Sequence, residues 1–289
     1  IVRTMKLIII SGRSGAGKNT VLRILEDEGF TCIDNFPATM LKDLINNTKV
    51  RKYDKGIAVC IDSRNNSSHL ENFHAHLLDI DASTDTEIIF LDASSEVLIK
   101  RYSETRRKHP LTNDEIDLRQ AIDLESIRLA EISDVANLRI ETSDLTPSEL
   151  ASLIRTRVVS RKHSAISMLF CSFGFRNGVP VDADYVFDLR CLPNPFYEEN
   201  IKNLSGTAPE VRAFLDSKPL VKEMFTDIVN LLENWLPYFD KARRHYITVA
   251  VGCTGGRHRS VYMAERLAKH FHMKYDHIMV RHRDNSDAT

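Results

Sequence analysis

Residues 7–20 read L-I-I-I-S-G-R-S-G-A-G-K-N-T, an apolar run that breaks into three glycines and then into a helical pattern. Glycine lets a chain turn its amides toward one point, and a helix starting behind such a turn aims its positive end at the same place. That arrangement binds phosphate. The spacing is G-x-x-x-x-G-K-[ST] in all but the last position, where Asn19 replaces the hydroxyl. The loop Gly12, Arg13, Ser14, Gly15, Ala16, Gly17, Lys18 and Asn19 is therefore a candidate nucleotide cradle, with Lys18 reaching the outer phosphates. The missing hydroxyl is ordinarily a magnesium ligand. An amide oxygen can coordinate a hard cation, but it sits one bond further from the backbone. Thr20 cannot replace it, because one helical step turns a side chain by about 100°. The expectation is that phosphate binding survives and metal-assisted hydrolysis is weakened.

Downstream, short apolar runs alternate with helical patterns, as a mostly parallel sheet covered on both faces requires. The predicted strands are Met5–Ile10, Thr31–Asp34, Gly56–Asp62, Glu87–Asp92 and Leu138–Glu141. Between them lie helical patterns at Lys18–Glu28, Pro37–Ile45 and Ser95–Arg107, and Thr146 with Glu149 forms the start signal of a last helix. The polar stretch Ser160–Ser164 reads as a boundary. Beyond it the pattern restarts, with strands at Ala165–Ser172, Tyr185–Leu189, Tyr246–Val251 and His277–Val280, and helices at Val211–Leu215, Val221–Leu236 and Arg259–His270. The fold class read here is α/β: a P-loop kinase-like parallel-sheet domain over residues 1–160, followed by a second, smaller α/β domain over 165–289. A length of 289 residues and 43% apolar content suit two such cores.

Five cysteines without C-x-x-C spacing argue against a disulfide frame or a zinc ribbon and predict a reducing cytoplasm. The run Leu7–Ile10 is too short for a signal core, and no apolar run has membrane length, so the chain is predicted neither to span nor to enter a membrane.

Three acids each end an apolar run, Asp34, Asp62 and Asp92, and any of them suits a magnesium partner or a turn cap. The stretch R-Y-S-E-T-R-R-K-H-P, Arg101–Pro110, has the composition of a phosphoryl-clamping lid and equally of a solvated helix end. In the second half, V-G-C-T-G-G-R-H-R-S runs from Val251 to Ser260 between another strand and helix. Thr254, Gly255 and Gly256 can present amides, and Arg257 and Arg259 supply forked donors to an oxyanion. Cys253, Arg259 and Ser260 also have the spacing of a cysteine-dependent phosphatase loop, although Gly252 stands where those enzymes place a histidine and no Trp-Pro-Asp acid segment is present. The net charge of −1 hides a local surplus: Lys241–Arg283 holds ten Lys and Arg against two acids, together with six of the eleven histidines. Such a surplus suits phosphate-rich partners or a solvated face.

Taken in order, G-R-S-G-A-G-K, C-I-D-N-F-P, I-D-S-R-N, L-I-K-R-Y-S-E-T-R-R-K-H-P, F-G-F-R-N-G-V-P-V-D-A-D-Y-V-F-D-L-R, L-P-N-P and G-C-T-G-G-R-H-R-S-V resemble the bacterial RapZ family, the RNase adapter proteins with a P-loop. The resemblance covers nearly the whole chain. It implies a regulatory protein that binds ATP or GTP with Mg2+ and has weak NTPase activity. It further implies that ATP sits on Gly12–Asn19 and a guanine nucleotide on Asp62, Ser63, Arg64 and Asn65. In the second domain it implies an amino-sugar phosphate on Thr254, Gly255 and Arg259, and RNA on Lys269, Lys274, Arg281 and Arg283. The implied partners are a small regulatory RNA, an endoribonuclease and further copies of the chain. Two departures stand beside Asn19. Phe196 occupies a place where adapter members can carry a histidine, and the tail from His272 balances three basic residues against three acids, which lowers the expected RNA affinity. A small-molecule P-loop kinase is the alternative reading.

Overall fold

The computed structural model describes residues 5–48, 55–81, 84–160, 166–242 and 244–285. The chain divides into two compact units, Ile1–Val159 and Ser160–Thr289. The stretch 161–164, together with Arg243 and Asp287 of the charge counts, lies outside the described residues.

In the first unit, strands β1 (Lys6–Gly12), β2 (Thr31–Ile33), β3 (Ile57–Cys60), β4 (Asp85–Asp92) and β5 (Leu138–Glu141) form one sheet. Its order is β2-β3-β1-β4-β5 and every pair is parallel. Central β1 is nearly continuous in apolar residues because both of its faces are covered. On one face Leu7 and Ile9 pack with Ile57, Val59, Phe90, Leu41 and Phe73. The helices are α1 (Lys18–Asp27), α2 (Leu41–Thr48), α3 (Ser67–Leu70), α4 (Phe73–Leu78), α5 (Ser95–Thr105), α6 (Leu118–Arg128), α7 (Ala130–Asp134) and α8 (Pro147–Ile154). The capping box read at Thr146 and Glu149 is formed, with Pro147 in the first turn. Helix α5 stops at Thr105 because Arg106 turns left-handed, with φ of 52°. Helices α3, α4, α6 and α7 escaped the sequence reading; three of them are six residues or fewer, and α6 carries a glutamate on its buried face.

The second unit repeats the plan with β6 (Ser167–Gly174), β7 (Tyr185–Asp188), β8 (Tyr246–Cys253) and β9 (His277–His282), in the order β7-β8-β6-β9 and again all parallel. Helices α9 (Pro209–Asp216), α10 (Pro219–Lys241) and α11 (Arg259–Phe271) complete it. Proline is unfavourable inside a helix, yet α10 continues through Pro237 past the predicted end at Leu236. Leu236 is buried and Phe239 packs on the same core, which holds the last turn in place.

In both units a glycine-bearing loop leaves the carboxyl end of an interior strand, β1 or β8, and enters a helix. Parallel α/β sheets bind ligands at that edge. Among the described residues no helix is long and apolar enough to cross a membrane.

A Cβ on Gly12 would overlap the Leu91 carbonyl oxygen, and Gly12 has φ of 139°. Gly12→Ala is expected to destabilise the first unit by about 2–3 kcal/mol. The only tryptophan, Trp235, lies in α10. Far-ultraviolet dichroism should therefore show an earlier denaturant transition while tryptophan fluorescence keeps its midpoint.

Candidate functional site

Gly12, Gly15 and Gly17 all adopt positive φ, at 139°, 92° and 106°. Together they fold the loop over the end of β1. Lys18, at the start of α1, is 7% exposed and donates from Nζ to the Gly12 carbonyl at 2.6 Å, so its charge is folded across the loop. Two arginines brace the turn, one within the loop and one outside it. Arg13 donates from Nε to Asp92 at 2.6 Å, and also to Ser95 Oγ and to the Ala93 carbonyl. Arg101 donates to the Gly15 carbonyl at 3.0 Å and to the Thr142 carbonyl at 2.6 Å, while Thr142 Oγ1 donates to the Ala16 carbonyl at 3.0 Å. Arg101 is thus a strut of the loop. Of the cationic lid stretch, Arg106, Arg107 and Lys108 stay exposed. Asn19 is exposed on the first turn of α1.

The structure separates the three strand-end acids. Asp92 is held by Arg13 and by its neighbour's amide. Asp62 is 3% exposed at the end of β3 and receives Arg64 Nε at 2.9 and 3.0 Å and Arg64 Nη2 at 2.5 Å, which raises the arginine above its ordinary value. Asp34 is exposed, and one of its oxygens lies 3.5 Å from the same Arg64. Asp34, Cys60 and Asp62 offer ligand atoms within 4.8 Å of one another. Burial, more than any neighbouring charge, pushes the Cys60 thiol up to about 12, so it stays protonated. The two carboxylates remain as hard oxygen donors of the kind magnesium takes. Asn65 is engaged at both ends of its amide, accepting from Ala38 N at 2.9 Å and donating to the Phe36 carbonyl at 3.2 Å.

A residue that sequence reasoning missed stands at the centre of this region. Glu125, on α6, has no exposed surface. Its Oε2 accepts from Ser14 N at 2.7 Å and lies 3.1 Å from His109 Nε2; its Oε1 accepts from Ser14 Oγ at 2.8 Å and Ser63 Oγ at 2.6 Å. His109 Nδ1 accepts from the Leu111 amide at 3.1 Å, which leaves the ring proton on Nε2 to face Glu125. Burial works to raise the carboxyl, but the His109 hydrogen bond, the Lys18 charge and the Ser63 and Ser14 donors outweigh it and bring it to about 2. The group is ionised at neutral pH. A sequence signal did exist: Asp117 and Gln120 form a capping box, and Glu125 shares a helix face with Ala121 and Ile122, where the pattern asks for an apolar residue.

In the second unit, Gly174 leaves no space beside Gly255 and Gly256: a Cβ there would come within 2.8 Å of Gly256 N. Asp284 seals the same corner by accepting from Gly174 N at 2.6 Å. Thr254 is exposed at the loop's rim, and Gly255 is half-buried. Arg259 is 4% exposed; one guanidinium nitrogen donates to the Arg190 and Leu192 carbonyls at 3.0 and 2.9 Å, another lies 3.5 Å from Thr254 Oγ1, and among the described residues its buried Nε has no partner. An oxyanion at the rim would meet one charge that is already oriented. Cys253 Sγ lies 3.2 Å from Ser260 Oγ. Burial works to raise this thiol, but hydrogen bonds from the Ser260 side chain and from the Ser260 and Gly256 backbone, with the Arg259 charge, hold it below its ordinary value. A Cβ on Gly252 would run into the Phe173 and Phe175 rings, which would have to shift to admit it.

The basic segment is largely answered by acids elsewhere in its unit. Lys274 pairs with Glu233 at 2.5 Å, and Arg281 lies 3.8 Å from Asp182. Arg283, with a side chain only 7% exposed, bonds Asp284 and the Gly178 carbonyl. Lys269 is exposed, as is Phe196.

Residues 5–162 match the RapZ-like N-terminal domain and residues 166–286 the RapZ C-terminal domain. A nucleotide-binding protein of Hahella chejuensis is 45% identical over 283 residues, covering 97% of this chain and 99% of that protein. One from Pseudoalteromonas atlantica is 48% identical over 281 residues, with coverage of 97% and 99%. Shikimate kinase from Acinetobacter baumannii aligns over 55% of this chain and 96% of its own, at 21% identity and a TM-score of 0.38.

The lowered Glu125 carboxyl has a sign in stability. Its contribution is complete above the unfolded value of 4.5 and is lost as pH falls toward about 2. Denaturant titrations across that window should lose on the order of 3 kcal/mol in the wild type and clearly less in Glu125→Gln. For the second loop, the ultraviolet thiolate band removed by Cys253→Ser should titrate below the ordinary thiol range, and Ser260→Ala should move it upward.

Proposed function

The chain belongs to the RapZ family, and on that premise we propose that it is a cytoplasmic regulatory protein whose first unit binds ATP or GTP and whose second unit reads a phosphate-bearing ligand. The observation that carries this reading is the loop at the end of β1. Three positive-φ glycines, an oriented Lys18 and the braces from Arg13 and Arg101 form a preorganised cradle for an anion chain. In this reading ATP lies along Gly12–Asn19, and a guanine nucleotide engages Asp62, Ser63, Arg64 and Asn65. Asp62 and Asp34 are the carboxylates that would hold magnesium bound with the nucleotide, which would supply charge neutralisation for phosphoryl transfer.

Turnover is expected to be weak for a reason in this chain's own residues. Asn19 supplies no hydroxyl at the start of α1, and Arg64 already occupies Asp62. Nucleotide occupancy, more than hydrolysis, then becomes the output. The second unit would hold an amino-sugar phosphate between Thr254, Gly255 and Arg259, where the unpartnered Nε of Arg259 favours an incoming oxyanion. Lys269, Lys274, Arg281 and Arg283 would contribute to binding a small regulatory RNA for presentation to an endoribonuclease, in a homo-oligomer. The engaged state of Arg281 and Arg283 favours few phosphate contacts and hence a shallow salt dependence.

Calorimetry with ATP and GTP, with and without magnesium, tests the first unit. Binding is expected in the wild type, with Asn19→Ser raising magnesium-dependent turnover roughly tenfold, about 1.4 kcal/mol of barrier. Equal turnover in the two proteins would refute the role given to Asn19. Titration with glucosamine 6-phosphate should give binding that Arg259→Ala abolishes, whereas formation of a phosphorylated product from ATP and a sugar would favour a kinase.

A further inference from the structure

A nucleotide loop normally keeps its inward amides for phosphate. Here the Ser14 amide is taken by a charged group. Ser14, four residues before Lys18, donates both its amide and its hydroxyl to Glu125, at 2.7 and 2.8 Å. The amides nearest the helix take the inner phosphates and the lysine reaches the outer ones, so Ser14 lies at the outer end of the cradle. The Lys18 charge acts on Glu125 directly, which places the carboxylate in the field of the residue that would meet the terminal phosphate. The same carboxylate is bonded by Ser63, next to Asp62, and by His109, whose ring packs against Tyr102 at 5.2 Å; Tyr102 in turn lies against Gly15. A full negative charge, shielded from water, therefore stands among donors that suit a phosphoryl oxygen.

We propose that Glu125 is a resident anion of the nucleotide loop, which the terminal phosphate of a nucleoside triphosphate must displace from Ser14 and which a diphosphate leaves in place. This rests on the nucleotide reading of the loop and adds to it a specificity-determining residue. Two buried negative charges beside one lysine repel each other strongly. Binding of the triphosphate then requires α6 to withdraw its carboxylate, and it frees His109 Nε2 and Ser63 Oγ from their partner. Diphosphate binding requires neither. The loop would thus report the number of phosphates through the position of α6 and of the cationic stretch Arg106–Lys108 that precedes it.

The experiment is calorimetry on the full-length chain with ADP and with a non-hydrolysable ATP analogue, for the wild type and Glu125→Gln, which keeps the shape and removes the charge. The wild type should bind ADP more tightly than the analogue. Glu125→Gln should tighten the analogue selectively, shifting the ADP-to-analogue ratio roughly tenfold or more. An unchanged ratio with both nucleotides bound would overturn the proposal while leaving nucleotide binding intact. Absence of binding of either nucleotide to the wild type would overturn the nucleotide reading and the proposal with it. The second measurement needs no variant: in the wild type, the nitrogen resonances of His109 should change on adding the analogue and not on adding ADP. Identical responses to the two nucleotides would also overturn the proposal.

Discussion

An ionised carboxylate sealed from water must be surrounded by donors, and the first unit is organised around meeting that demand. Glu125 draws its donors from the loop after β1, from the end of β3 and from the stretch joining α5 to α6. Removing any one partner leaves a buried charge short of a hydrogen bond, which costs more than the bond itself contributes. Ser14, Ser63 and His109 are therefore fixed relative to one another by a single group. The shape of the phosphate loop is a consequence of that clamp as much as of its glycines.

The second unit solves a similar positioning problem with backbone proximity. Gly174 at the end of β6 touches the Gly255–Gly256 turn, and Gly206 lies against the His258 carbonyl and the first turn of α11. Contacts of that closeness exclude every side chain, so the loop after Cys253 is held by main chain on two sides. Arg259 then needs only two carbonyls, those of Arg190 and Leu192, to be aimed. Charge is handled differently as well: Glu233, Asp182 and Asp284 neutralise cations that looked free in the sequence.

Strands and phosphate loops were legible in the sequence because their signals are local. A four-residue apolar run with glycines behind it has few alternatives, and among the described residues the nine strands lie within a few residues of their predicted positions. What escaped was long-range. Glu125 lies 111 residues from Ser14 and 62 from Ser63, and no spacing rule links them. The choice among Asp34, Asp62 and Asp92 depended on where Arg13 and Arg64 turned, which is decided by packing. The basic stretch was read as a surplus because acids such as Glu233 and Asp182 stand far from their cationic partners in the sequence. The helix predicted to end at Leu236 runs on through Pro237 to Lys241, the local penalty of the proline being outweighed by packing of Leu236 and Phe239.

The strand order of the second sheet also governs how the unit can be made. Its first strand, β6, is flanked by β8 and β9, the last two to be synthesised, and β7 can reach the sheet only through β8. During translation β6 emerges with both hydrogen-bonding edges bare and stays so until residue 246 has left the ribosome. The first unit, by contrast, has all its strands by Glu141 and can close while the second is still an open chain. A strand as apolar as S-M-L-F-C-S-F-G waiting that long is an aggregation hazard that fast elongation or a holding chaperone would have to cover.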